Sequence, residues 1–275
     1  MTATVFTPDR TIAPPQVRRP FTHTLSDIIH FSHRGLRHQF RSIDALLLGI
    51  LLPVIIMLVF VYIFGGALST GSSGLEYVDF VVPGVILLAA GYGAANTALS
   101  VANDMTSGMV DRFRSLPVAG WTVPAGHVVA STVKNLLTTA ITIVAAIAVG
   151  FRPVAGVSEW LGIIGLVLLY IMAITWLGAA VGMVVTSVES ASAFSFFMLF
   201  LPYLSNAFVP VETMPDWLQA FAQHQPMTPL ADALRALLID SPVGNQGWIA
   251  AAWLVAIIAL AMPLSALLFR RRTQR

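Results

Sequence analysis

Charge is scarce in this sequence, and cysteine is missing altogether. Only 10% of the 275 residues are Asp, Glu, Lys or Arg, against roughly 25% in an ordinary soluble domain. A water-soluble surface of the usual kind is therefore not available to the chain. The lack of cysteine excludes disulfides, iron–sulfur clusters and thiolate zinc sites. Lysine is nearly absent too, with Lys134 standing alone. No P-loop exists, because the Gly-Lys-Ser/Thr that holds nucleotide phosphates would need a lysine outside Val133-Lys134-Asn135. Neither His-Glu-x-x-His nor Gly-x-Ser-x-Gly occurs. A Ser131–Lys134 dyad is conceivable on spacing alone, and otherwise no catalytic residue is expected. His30 and His33 are spaced to share a face but lack a third ligand nearby, so no metal site is expected either.

What is present is apolar: 57% of the chain is hydrophobic. Six runs, at about Ala45–Gly66, Phe80–Ala102, Ala125–Val149, Trp160–Val185, Ala191–Pro210 and Trp248–Phe269, are each long enough to cross a ~30 Å hydrocarbon core as a helix. The expected fold is an all-α membrane protein with six transmembrane helices. Arg34, Arg37, Arg41, Arg112, Arg114, Arg270, Arg271, Arg272 and Arg275 fall on one side of these spans. Arg152 and Arg235 fall on the other, with Glu76, Asp79, Glu159, Glu212, Asp216, Asp232 and Asp240. The positive-inside rule then places both termini in the cytoplasm of a bacterial inner membrane. Residues 1–24, polar and proline-bearing, lack the apolar core of a signal peptide and read as a disordered cytoplasmic tail ahead of a membrane domain over 25–275.

Leu25, Ile29, Leu36, Phe40 and Ile43 share one helical face, with Arg34, Arg37, His38 and Arg41 mostly elsewhere. That pattern predicts a basic amphipathic helix in the headgroup plane, or else a basic flank that enforces topology. Between the last two spans, residues 211–247 carry two helix-start signals. Thr213 to Asp216 resembles a capping box, and Thr228 precedes Pro229. The helices after them present Trp217, Leu218 and Phe221, then Leu230, Leu234, Leu237 and Leu238, apolar faces that dip into the outer leaflet or cap the bundle. Gly178-x-x-x-Gly182 allows close helix approach, and Pro202 is expected to kink the fifth span.

No span holds an Asp or Glu in its interior; Asp44 and Asp79 sit just outside. Ion-coupled carriers usually depend on buried carboxylates, so an ion-gradient carrier is disfavoured. Lys134 either snorkels toward the cytoplasmic interface, pairing with Asp104 or Asp111, or lines a cavity that meets an anionic substrate or lipid headgroup. Asn96, Thr97, Asn135, Phe196, Phe197 and Asn206 are the remaining candidate cavity liners, with helix–helix packing as their alternative role.

The loop at 103–124 opens with Asp104 and Gly108 and continues through Met109, Asp111, Arg112, Phe113 and Arg114 to a break at Pro117. An apolar tip flanked by arginines suits docking into a groove on a soluble protein. Here the chain resembles the type-2 ATP-binding-cassette permeases, in the branch of the actinobacterial daunorubicin/doxorubicin-resistance permeases. Asp104, Gly108, Arg112, Pro117 and Val118 match that family's loop pattern. The run from Met214 and Trp217 through Phe221, Gln225-Pro226 and Ala233-Leu234-Arg235 matches a second, and the likeness extends from about residue 25 to the C-terminus.

The resemblance implies an elbow helix over Leu25–Ile43 and a coupling helix over Asp104–Pro117 seated on an ATPase. It implies re-entrant outer helices within Thr213–Asp240, with Trp217, Phe221 and Leu234 at an outer gate. It also implies two permease copies, identical or related, working with two cytoplasmic ATPase subunits. ATP and Mg would be bound there and none by this chain. Amphipathic drug, lipid or glycolipid would be exported, membrane lipid would surround the helices, and no nucleic acid is involved. Many relatives open the coupling loop with a run of glutamates, where this chain offers only Asp104 and Asp111. An ion-driven carrier or channel, or a membrane assembly component that transports nothing, are the rival readings.

Overall fold

The computed structural model describes residues 32, 33, 35–37, 41, 43–65, 76–106 and 122–273, and every regular element among them is helical. Helix α1 (Ile43–Leu58) runs on into a π-helical turn, Val59–Phe64. It is followed by α2 (Tyr77–Thr106), α3 (Thr122–Val149), α4 (Val157–Val184) and α5 (Val188–Phe200). Two short helices, α6 (Asp216–His224) and α7 (Met227–Leu238), precede the last, α8 (Gln246–Thr273).

Five segments are long and apolar enough to cross a membrane: Leu46–Phe64, Tyr77–Thr106, Pro124–Val149, Val157–Val184 and Gln246–Phe269. They coincide with five of the six apolar runs. The run Ala191–Pro210 instead forms the shorter apolar segment Val188–Leu204. Its α-helix stops at Phe200 and tightens into a 3-10 turn, Leu201–Leu204, where Pro202 has no amide hydrogen to continue the ladder.

Helix α2 is the hub, packed against α1, α3, α4, α5 and α7 and buried along most of its length. Its sequence explains this. Gly84, Gly91, Gly93, Ala94, Ala95 and Ala98 keep its sides thin, and small residues let helix backbones approach in a membrane. The broadest contact is with α4, where Gly178 and Gly182 lie against Ala94, Ala95 and Ala98. A Cβ on Gly182 would stand 2.5 Å from the Ala98 carbonyl oxygen and 2.9 Å from Val101 Cβ. The Gly-x-x-x-Gly pair therefore serves a contact inside the chain.

The two ends of the bundle differ. At one, Gly35 packs so closely on α3 that a Cβ there would lie 2.9 Å from Ala130 Cβ, and Phe269 of α8 clusters with Val101, Ala125 and Val128. At the other, α7 buries Met227, Leu230, Leu234 and Leu238 in the main core with Phe80, Val81 and Phe208.

The capping expectations fail at both α6 and α7. Thr213 belongs to a 3-10 turn, Val211–Thr213, and donates to Pro210 O at 2.7 Å, so α6 starts after Pro215 with no side-chain cap. Thr228 lies inside α7 and donates to Ala222 O at 2.6 Å, tying α7 back to α6. In both cases a nearby carbonyl captures the hydroxyl that the sequence offers as a cap.

Candidate functional site

Helix α3 carries a polar stripe at helical spacing. Ser131, Asn135, Thr138 and Thr142 recur every three or four residues, and all are buried. Thr97 Oγ1 of α2 lies 2.6 Å from Ser131 Oγ, and Asn135 Nδ2 donates to Ser131 Oγ at 3.2 Å. The Asn135 amide fills the notch left by Gly93, where a Cβ would fall inside it. Toward the C-terminal end of α2 and the N-terminal end of α3 the seam continues as His127 Nε2 with Asp104 Oδ2 at 3.1 Å. Of the seven cavity candidates, Thr97 and Asn135 are thus brought together, but as the bond between two helices. Interhelical hydrogen bonds in membranes average about 0.6 kcal/mol and reach about 1.7 kcal/mol. Thr97→Val should cost an amount in that range, read from the unfolding of purified protein in a denaturing detergent titration.

Lys134 follows on the neighbouring face of α3, 9% exposed. No carboxylate among the described residues lies within ion-pair distance of it. The expected partner Asp104 is held by His127 instead, and Asp111 lies outside the described residues. Asn135 Oδ1, Thr132 Oγ1 and Thr139 Oγ1 are buried without a hydrogen-bond partner.

At the opposite end Asn206 sits in a charged knot. Arg235 donates to Asp232 Oδ1 at 2.7 Å, to Asn206 O at 2.6 Å and to Phe80 O at 3.3 Å from both Nε and an Nη. Its guanidinium lies 4.1 Å from the Phe80 ring centroid, within cation–π range. Asn206 Nδ2 donates to the same Asp232 oxygen at 2.7 Å. Burial raises the Asp232 carboxyl above its usual range, opposed by Arg235 and Asn206; burial also lowers the Arg235 guanidinium, opposed by Asp232. Among the gate candidates, Leu234 is fully buried beneath this knot, whereas Trp217 (76% exposed) and Phe221 project from α6.

Phe196 and Phe197 project from α5, which is seated on α2 by Ser195 Oγ donating to Ala95 O at 3.0 Å. Asn96, next along α2, is half-buried. The seven cavity candidates therefore fall into separate places: the seam (Thr97, Lys134, Asn135), α2 beside it (Asn96), the exposed face of α5 (Phe196, Phe197) and the Arg235 knot (Asn206). Gly108, Met109, Asp111, Arg112, Phe113, Arg114 and Pro117 lie outside the described residues, as do Arg34, His38 and the tail 1–24. Arg37 and Arg41 are exposed, on residues that are helical where described.

Arg235, His127 and Ser131 escaped the sequence reading as structural anchors. A signal existed for each: Arg235 three residues after Asp232 in an apolar helix, and His127 and Ser131 in four-residue register with Asn135.

Residues 27–239 match the ABC-2 type transporter family. The chain is 32% identical over 227 residues to a daunorubicin resistance ABC transporter permease protein of Streptomyces coeruleorubidus, covering 81% of this chain and 78% of that one. It is 26% identical over 244 residues to a probable doxorubicin resistance ABC transporter permease protein of Mycobacterium tuberculosis, covering 84% and 85%. A putative transport permease of Pyropia yezoensis is 25% identical over 228 residues, covering 81% and 77%.

Proposed function

Since the chain belongs to the ABC-2 type transporter family, we propose that it forms, with a second permease copy, the membrane path of an exporter driven by two cytoplasmic ATPase subunits. The chain is the transmembrane permease subunit of an ABC exporter; ATP and Mg act on the partner, because no nucleotide motif is present here. Its cargo is an amphipathic drug, lipid or glycolipid, a reading supported by the drug-resistance permeases it resembles.

Six crossings of a bacterial inner membrane, with both termini cytoplasmic, are supported by the neighbours along α2. Ala191 packs beside Ala98 and Ala102, Ser195 reaches Ala95, and Ala207 lies against Gly84. From residue 102 to residue 84 is about 27 Å of helix, close to a hydrocarbon thickness. Val188–Leu204 with the residues after it then makes the crossing that α5 alone is too short to make. Helices α6 and α7 act as the re-entrant outer pair, α7 anchored by Arg235 and α6 presenting Trp217 and Phe221 at the outer opening. The exposed Phe196 and Phe197 are the surface the substrate meets.

The observation that carries the coupling mechanism is the Asp104–His127 clamp across the base of the 107–121 loop, in line with the Thr97–Ser131–Asn135 seam. Helices hydrogen-bonded in this way move as one body. A push on Arg112–Arg114 by the closing ATPase pair is passed to α2 and, through its close packing on α4 and α5, to the bundle. The test combines Phe113→Ala with Arg112→Glu in the permease reconstituted with its ATPase. Loss of a docking anchor of this kind should weaken assembly by about tenfold or more and depress substrate-stimulated hydrolysis in step. Undiminished assembly and hydrolysis would sink the coupling assignment.

A further inference from the structure

We infer that Lys134 is the deep cation of a binding site for the phosphate of an anionic phospholipid in the cytoplasmic leaflet. The site lies on α3, between its contacts with Gly35 and Gly49. It goes beyond the transport reading above and uses only the same orientation of the bundle.

Two close approaches bracket the site. Gly35 packs on Ala130, and Gly49 packs on Thr138, its notional Cβ 3.8 Å from Thr138 Cγ2. Lys134 lies midway, about 6 Å along α3 from each contact. Arg37 and Arg41, both exposed, fall between Gly35 and Gly49 in the sequence, and His33 is exposed just before Gly35.

The described charges near Lys134 are basic or already paired, and Asp44 is the one acid in the 35–49 stretch. Lys134 has nine-tenths of its surface enclosed and no carboxylate partner among the described residues. The nearest titratable neighbours on α3 and α2, His127 and Asp104, are paired with each other. An ammonium at this depth in hydrocarbon costs several kcal/mol unless an anion or water meets it. Basic clusters at the cytoplasmic edge of membrane helices recruit acidic headgroups for this reason. A phosphodiester beside Lys134 would neutralise it, while Arg37 and Arg41 hold the headgroup from the water side. The acyl chains would lie along the exposed ridge of α3 formed by Val129, Val133, Leu137 and Ile141. A phospholipid satisfies both the charge and that ridge; a soluble phosphate satisfies only the first.

The test uses the full-length permease with its ATPase, delipidated in mild detergent. It is titrated with phosphatidylglycerol and with phosphatidylcholine, and bound lipid is counted by native mass spectrometry. Wild type should prefer phosphatidylglycerol, and Lys134→Gln should reduce that preference by roughly fivefold, the contribution of one basic residue near a charged surface. Lys134→Arg should retain it, and Arg37→Gln with Arg41→Gln should reduce it further. Lys134→Met serves if the glutamine variant folds poorly. Equal preference in wild type and Lys134→Gln would overturn the proposal. So would sn-glycerol 3-phosphate displacing phosphatidylglycerol at equal concentration, which would make the ligand a solute. A fall in stability of Lys134→Gln cancelled by Asp44→Asn would place the counter-ion within the chain, and would overturn it as well. None of these readouts depends on substrate-stimulated hydrolysis, so the site and the coupling mechanism fail separately.

Discussion

Replacing Arg235 by alanine lowers the stability of the folded permease by about 3–5 kcal/mol, the cost of breaking a buried ion pair from one side. The substitution leaves the Asp232 carboxylate with only Asn206 for company and strips the Phe80 and Asn206 carbonyls of their donor. It also removes the cation from the Phe80 ring. These groups come from α2, from the turn after α5 and from α7, so three separated pieces of chain lose their common anchor. Lysine at 235 should rescue only part, since one ammonium cannot reproduce a fork directed at three acceptors. Asp232→Asn should be milder, as it leaves no lone carboxylate. The measurement is the unfolding midpoint of purified protein against denaturing detergent. Combining Arg235→Met with Asp232→Leu should recover much of the loss, because the penalty lies in the orphaned charge. A full-strength Arg235→Ala protein would show that α7 is held by apolar burial alone.

The second large effect is expected at Gly182. A leucine there would drive its Cβ to 2.5 Å from the Ala98 carbonyl and its branch into Val101. The obstruction is backbone, so no rotamer relieves it, and α4 must retreat from α2 across the broadest contact in the bundle. Overpacking a well-filled site costs about 1–3 kcal/mol and occasionally more, and Gly182→Leu belongs at the upper end. Gly178→Ala is the graded comparison, since its Cβ meets Ala98 N at 3.3 Å and needs a shift of only tenths of an ångström. Gly165 on the same helix has nothing within 4 Å of its notional Cβ, and Gly165→Leu should be tolerated. Monodisperse yield and unfolding midpoint across the three variants make the check. Equal behaviour of the Gly182 and Gly165 variants would contradict the packing.

These residues also show how far the sequence can be read. Helix positions follow from run length, because a bilayer sets a minimum apolar span and demands that backbone hydrogen bonds close within it. Five of the six runs are therefore recovered as long apolar helices. The fifth run was legible as apolar but not as short, since its end is decided by the turn at Pro202 and by where Ala207 lodges against Gly84. Leu234 and Trp217 look equivalent as apolar positions on the helices between the last two runs. The fold buries one under α7 and leaves the other on α6, a difference set by which helix lies over α2.

What the chain determines on its own is its solvent. Scarce charge and long apolar runs are local properties, legible without reference to neighbours. What only the folded bundle decides is the pairing of its few polar groups. Arg235 reaches Phe80 across 155 positions, Asn135 fits over Gly93, and Asp104 takes His127 rather than Lys134. In a medium without water a polar group can pair only with what packing brings within reach, and that choice belongs to the tertiary structure.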